Sequence, residues 1–493
     1  MSTKQIATST LWQVASQITM AALSIVTVKF VALGLTKELA GEYNTAYGFL
    51  QIFGILADFG LYAVAVREVS RAPEQSSVHG ERNSKADVFG VIILLRIITL
   101  IFSLAVALLF VWIIPTWHGT VLPLGVTIAA FVPFFTLLAG VIRTAFQVRY
   151  KMQFVFIAEV SQRILTVGLT GIVIWMGVRE SSDPFYYYLF LLFGGIGAAL
   201  LFVFSFLFGR TLLPIRPHWD TKLVKHIALQ ALPYGLAFLC TALYRQSDVT
   251  IIGILRSDYA VQNAYYGFVQ RAMDMAYLFP TFLLNSTLPI LSERAHKGED
   301  TRSLLGKTFL IILLLGTTLF LFSFLWSRPL MQLLTNDRYL STLDHPGSDN
   351  ALHLLAFSMF FNGIILFCFY SLLTKHRWKP LVWTLLFGSV ISITSNILLV
   401  PTYGFLGACY TSILTHATLA LILLPFTATI LPFALPLKSI LQWIAYAVLM
   451  IIGLSLIAPY LHSSLLTAIG IAIAGLYMAA LIWATGIWKG VRG

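Results

Sequence analysis

The chain has 493 residues, 58% of them hydrophobic and only 11% charged, with a formal net charge of +12 and a mean hydropathy of +0.85. A soluble domain carries roughly 25% charged residues, so a soluble fold is excluded. The apolar runs are continuous rather than alternating, which excludes a membrane β-barrel. What remains is an all-α polytopic membrane protein.

In chain order, the N-terminal "MSTKQIATSTLWQVASQ" lacks a cleavable signal pattern, and the first apolar stretch reads as a retained signal anchor. Spans of about 20 apolar residues are predicted near 10–34, 42–66, 88–114, 121–147, 152–177, 185–209, 226–255, 262–290, 306–327, 351–374, 380–400, 404–430, 439–459 and 464–488, fourteen in all. With both termini placed in the cytoplasm, cytoplasmic loops hold 22 of the 32 Lys and Arg residues and external loops five. This positive-inside bias accounts for the basic balance without nucleic acid. Every loop is short, the longest external one running from about Trp326 to Asn350, so none can house a soluble catalytic domain. Trp175, Trp326, Trp378 and the run "FYYY" (185–188) read as interfacial aromatic anchors. Cys240, Cys368 and Cys409 lie in apolar stretches without ligand spacing and read as small core residues; no metal site is predicted.

A shift of 219 residues lays "EYNTAYGFLQ" (42–51) over "VQNAYYGFVQ" (261–270), with five identities including Asn44 on Asn263 and Gly48 on Gly267. Six spans separate the copies, so they share one orientation. Two parallel six-helix bundles related by an axis along the membrane normal follow. The division expected is an N-lobe at 1–210, a cytoplasmic linker at 211–225, a C-lobe at 226–430 and two added spans at 431–493.

Charges inside a membrane face a cavity or one another. Arg245 and Asp248 are spaced i,i+3 on span 7, Arg271 and Asp274 i,i+3 on span 8, and Glu159 and Arg163 i,i+4 on span 5, so each pair shares a helix face. Lys29, Asp58 and Arg96 have no local partner and must look to another helix or to water. Lys29 falls on Asp248 under the repeat. A ring of ion pairs that only locks helices together stands beside the cavity reading. The cations Lys29, Arg96, Arg163, Arg245 and Arg271 suit an anionic, phosphate-bearing substrate. The acids Asp58, Glu159, Asp248 and Asp274 are the candidates for coupling to H+ or Na+. His353 and His416 could relay protons, but a lone membrane histidine is more often a structural hydrogen-bond donor.

Three stretches carry a family likeness. "LTKELAGEYNTAYGFLQIFGILADFGLYAVAVREVSR" (35–71), "SDVTIIGIL…NAYYGFVQR…LPILSER" (247–294) and "NILLVPTYGFLGACYTSILTHA" (396–417) resemble the hairpin signatures of polysaccharide flippases in the multidrug/oligosaccharidyl-lipid/polysaccharide exporter superfamily. The likeness covers most of residues 10–430, and fourteen spans suit the polysaccharide and lipid II branches better than the twelve usual for drug exporters. The resemblance implies a monomeric inner-membrane flippase, without enzymatic activity or a bound cofactor. It would turn an undecaprenyl-pyrophosphate-linked oligosaccharide to the outer leaflet by alternating access, among membrane lipids and beside a polysaccharide polymerase. A lipid II flippase, a cation/drug antiporter and, from another class, a membrane glycosyltransferase or polymerase are the competing readings. An antiporter cavity should be dominated by acids, and here bases dominate; a transferase needs an acidic pair or a large external loop, for which "KELAGE" (37–42) offers little.

Overall fold

The structure is a computed structural model that describes residues 3–73, 84–281, 283, 284, 287, 291, 299–374 and 377–487. Arg82, Arg294, Lys297, Lys375, Lys489 and Arg492, which are among the 22 basic residues placed in cytoplasmic loops, lie outside the described residues. Among those described the chain is helical, and twelve helices are long and apolar enough to cross a membrane. Two compact units are formed, Met1–Ala264 and Tyr265–Gly493.

In the first unit α1 (Thr3–Gly34) packs chiefly on α7 (Met152–Trp175). Its end is tied to the turn before α8 (Pro184–Gly209): Thr36 and Ser181 are joined backbone to backbone at 3.1 Å, and Ser181 donates to Gly34 at 2.8 Å. Asp183 caps α8, with Pro184 at the first helical position, where a missing N–H costs nothing.

The predicted span near 42–66 divides into α2 (Lys37–Asp58) and α3 (Leu61–Arg71). The break is the "ADFG" stretch, where Phe59 (φ 37°) and Gly60 (φ 73°) are both left-handed. Only glycine takes this conformation at no cost, and space enforces it as well. A Cβ on Gly60 would sit 2.7 Å from the Tyr234 Cβ and 2.8 Å from the Gly235 nitrogen, while a Cβ on Gly235 would meet the Phe59 ring at 2.6 Å. The corner is therefore keyed into α9 (Thr221–Leu255).

Ser84 and Asp87 form a capping box for α4 (Lys85–Ile113). Span 4 is bent at Ala130 into α5 (Leu122–Ala129) and α6 (Phe131–Val148), with Pro133 just beyond the bend. The helix α10 (Tyr259–Ala276) follows a tight turn in which Arg256 pairs with Asp258 at 2.7 Å.

In the second unit α11 (Arg302–Leu325), α13 (Ser348–Thr374) and α15 (Phe405–Ile430) pack together, and α14 (Trp378–Tyr403) pairs with α15 through a turn at Gly404 (φ 58°). The short α12 (Ser327–Leu334) lies in the predicted external loop. The added helices α16 (Leu437–Ile457) and α17 (Ser464–Ala484) dock on α11 and α12. Trp443 donates to Thr317 at 2.9 Å, and the Tyr446 and Thr318 hydroxyls meet at 2.7 Å.

Three expectations change. Trp326 is no interfacial anchor: it is fully buried and donates to the Leu454 carbonyl at 2.9 Å. Tyr187 of the "FYYY" run is buried as well, its hydroxyl set against Gly125, whereas Phe185 is exposed. Arg143, counted with the loop charges, lies within α6, which runs on to Val148. All three cysteines are buried, and none forms a disulfide among the described residues.

Candidate functional site

The buried charges of the first unit are matched across helices. Asp58 is the last residue of α2, where a carboxylate opposes the negative end of the helix dipole. Arg96 of α4 offsets it: one guanidinium nitrogen pairs with the Asp58 carboxylate, and a second donates to the Ala57 carbonyl at 3.2 Å. The Arg96 side chain is 2% exposed and that of Asp58 28%. The two charges that lacked a partner in sequence are thus each other's partner. Arg96 holds α2 to α4, and its charge is already matched.

Glu159 of α7 forms an ion pair with Arg143 of α6 at 2.8 Å, the two side chains being 13% and 24% exposed. Its other oxygen accepts from Ser16 of α1. Tyr62, in the first turn of α3, donates to Gln147 of α6 at 2.5 Å and lies within electrostatic reach of Asp58, Arg143 and Glu159. Five helices beside α1 therefore contribute to one polar cluster: Ser16, Asp58, Tyr62, Arg96, Arg143, Gln147 and Glu159. Of these, Arg143, Tyr62, Ser16 and Gln147 were missed in sequence. The available signal was spacing: Arg143 lies about six helical turns into an apolar segment that begins at Leu122.

Lys29 on α1, Arg163 on α7 and Arg245 on α9 are half-buried, and Asp248 on α9 is buried. Each engages other groups, as do Arg271 and Asp274 on the second-unit part of α10. His353 and His416 hydrogen-bond backbone carbonyls, of Phe324 at 2.9 Å and Ser412 at 2.8 Å.

The repeat is visible as contact. Asn44 donates to the carbonyl of Asn263, its own equivalent 219 residues on, at 3.2 Å. Asn263 in turn donates to the Thr45 hydroxyl and the Val249 carbonyl, both at 2.9 Å. Gly41 faces its equivalent Ala260 so closely that a Cβ would overlap the Ala260 carbonyl. All of these residues belong to the first unit.

This architecture is that of a multi-pass membrane protein. The chain superposes over 99% of its length on all of the lipid II flippase MurJ in an inward closed conformation, with TM-score 0.70 and 14% identity. It is similar to an inward-facing multidrug resistance MATE family transporter of the MOP superfamily over 86% of its length and 98% of that chain (TM-score 0.59, 12% identity). It is also similar to the MATE multidrug transporter DinF-BH, over 87% of its length and 95% of that chain (TM-score 0.59, 16% identity). No curated protein matches the chain in sequence. A family model described as polysaccharide biosynthesis protein matches residues 6–292, and a MatE model matches residues 233–398. The chain belongs to the polysaccharide biosynthesis protein family, a multi-pass inner-membrane family with the fold of the multidrug/oligosaccharidyl-lipid/polysaccharide exporter superfamily.

Proposed function

We propose that this protein flips an undecaprenyl-pyrophosphate-linked oligosaccharide from the cytoplasmic to the outer leaflet by alternating access, driven by an ion gradient, and performs no covalent chemistry. The observation that carries the reading is the cationic excess within the predicted spans, seven bases (Lys29, Arg96, Arg143, Arg163, Arg245, Arg271 and Lys307) against five acids (Glu42, Asp58, Glu159, Asp248 and Asp274), in a family named for polysaccharide biosynthesis. Lys29, Arg163, Arg245 and Arg271 are the proposed pyrophosphate contacts. Arg96 is assigned instead to positioning. Asp58, Glu159, Asp248 and Asp274 remain the proposed ion carriers. Fourteen spans with cytoplasmic termini complete the topology; the two beyond the apolar twelve are those near 42–66 and 262–290. Arg245→Ala combined with Arg271→Ala should abolish surface polysaccharide while the protein still reaches the membrane. Intact export in that variant refutes the cavity assignment.

A second reading is lipid II flipping. It is favoured by the full-length superposition on MurJ, which includes α16 and α17, against 86–87% coverage on the drug transporters. Deletion separates the two: loss of cell-wall synthesis supports this reading, and loss of a surface glycan alone supports the first.

A further inference from the structure

The predicted sites leave unused one deeply buried acid, Glu42, in the second turn of α2. Its residue is 6% exposed. One carboxyl oxygen accepts from the Tyr259 hydroxyl at 2.8 Å, across from the first turn of α10. The other is buried and has no hydrogen bond. An ionised carboxyl without a counter-ion costs several kcal/mol to bury, and no cation pairs with this one among the described residues. The titratable groups that face it are hydroxyls. Tyr259 comes from α10; Tyr187 and Tyr188 come from α8 and lie within electrostatic reach. Tyr187 is fully buried, and its hydroxyl is also without a hydrogen bond. α1, α9, α4, α5 and α6 also pack on α2 and, among the described residues, present no charge to Glu42. A neutral acid matches this cage of tyrosines; a carboxylate does not.

The position of the cage gives the acid a task. Glu42 and Tyr259 lie beside the Gly41–Ala260 and Asn44–Asn263 contacts, where equivalent residues of the two repeats meet. We infer that Glu42 is a proton-responsive latch: as the neutral acid it holds the first turns of α2 and α10 together, and as the carboxylate it draws water and parts them. Parting is the movement at this end of the helices that alternating access requires, so the inference rests on the transporter reading. The proton binds with the contact closed and leaves with it open. No other reactant is needed.

The test reads the contact itself and uses no substrate. Ala264 is fully buried beside Gly41, so a cysteine placed there reports parting through maleimide labelling. The full-length protein, with Cys240, Cys368 and Cys409 replaced by alanine, is reconstituted in nanodiscs and labelled from about pH 6 to about pH 9. Labelling is normalised at each pH to a Glu42→Gln partner, which cancels the reagent's own pH response. The ratio should climb by up to about tenfold per pH unit once the carboxyl ionises. Glu42→Asp should keep a rise, and Tyr259→Phe should increase labelling at the acid end. A ratio that stays flat overturns the latch. If Glu42→Gln fails to fold, Tyr259→Phe labelling that coincides with the parent at every pH overturns it equally. A rising ratio in a protein that exports no glycan would keep the latch and sink the proposed substrate, so the two failures are distinguishable.

Discussion

Asp58 and Arg96 are paired but unequally buried, and that inequality predicts unequal consequences of removing each. Asp58→Ala leaves a guanidinium that is 2% exposed without its counter-ion. Breaking a buried pair in this way costs about 3–5 kcal/mol. Two features favour the low end. The Ala57 carbonyl still accepts from Arg96 at 3.2 Å, and removing an anion from a helix C-terminus returns roughly 0.3–1 kcal/mol. The net loss is therefore about 3 kcal/mol. Arg96→Met leaves a carboxylate that is 28% exposed, and water can replace the lost bonds. The Ala57 carbonyl is not orphaned, because Thr99 donates to it at 2.9 Å. That loss should be about 1.5 kcal/mol, the lower limit for a hydrogen bond to a charged group. The double variant should resemble Arg96→Met, giving a coupling of about 2–3 kcal/mol in a double-mutant cycle. Reversible unfolding in mixed micelles, titrated with a denaturing detergent, measures all four proteins. If Asp58→Ala is no worse than Arg96→Met, or the double variant is worse than either single one, the tethering argument fails.

Two further outcomes follow from particular residues. Gly60→Ala places a side chain at φ 73° and drives its Cβ to 2.7 Å from Tyr234; strain and overlap together should cost more than about 2 kcal/mol in the same unfolding assay, and a neutral result would show that the α2–α3 corner is soft. Asp258, in the turn between α9 and α10, is held below the usual carboxylate range by the hydrogen bond from Arg256. A lowered folded value means the pair stabilises above the unfolded pKa and is lost as pH falls through the folded one. Since the Asp258 side chain is 41% exposed, the difference between parent and Asp258→Asn should stay below about 1 kcal/mol at neutral pH and vanish in strong acid; a difference that grows toward acid pH would refute the sign.

The helices were legible because hydrocarbon demands long apolar segments. The break at 58–60 was quoted as part of a motif but not read as a corner. Its cause is tertiary: Gly235, 175 residues away in sequence, makes room for Phe59. The same distance effect governs the charges. Local spacing favours pairs i,i+3 and i,i+4, and it offered Arg163 to Glu159. The ion pair with Arg143 of α6 could not be seen this way, because it joins two helices whose register is set by packing. Lys29, Asp58 and Arg96 were legible only as a deficit of local partners. For two of them that deficit was informative, since an unmatched membrane charge is costly enough to force a cross-helix contact.

The repeat had the weakest statistical footing in the sequence, five identities in ten, yet it makes the strictest geometric demand. If α2 and α10 are equivalent, a contact between equivalent residues must join numbers that differ by 219, although neighbouring contacts such as Asn263 with Thr45 need not. Asn44 with Asn263 and Gly41 with Ala260 meet that demand together, three residues apart on each helix. Accidental similarity of apolar, Tyr- and Gly-rich segments would not place both pairs in register. Within this symmetric contact Glu42 breaks the symmetry, because its equivalent position is Val261. An ionisable group on one side only, at the place where the two copies meet, is what allows a proton to decide whether that place is open or closed.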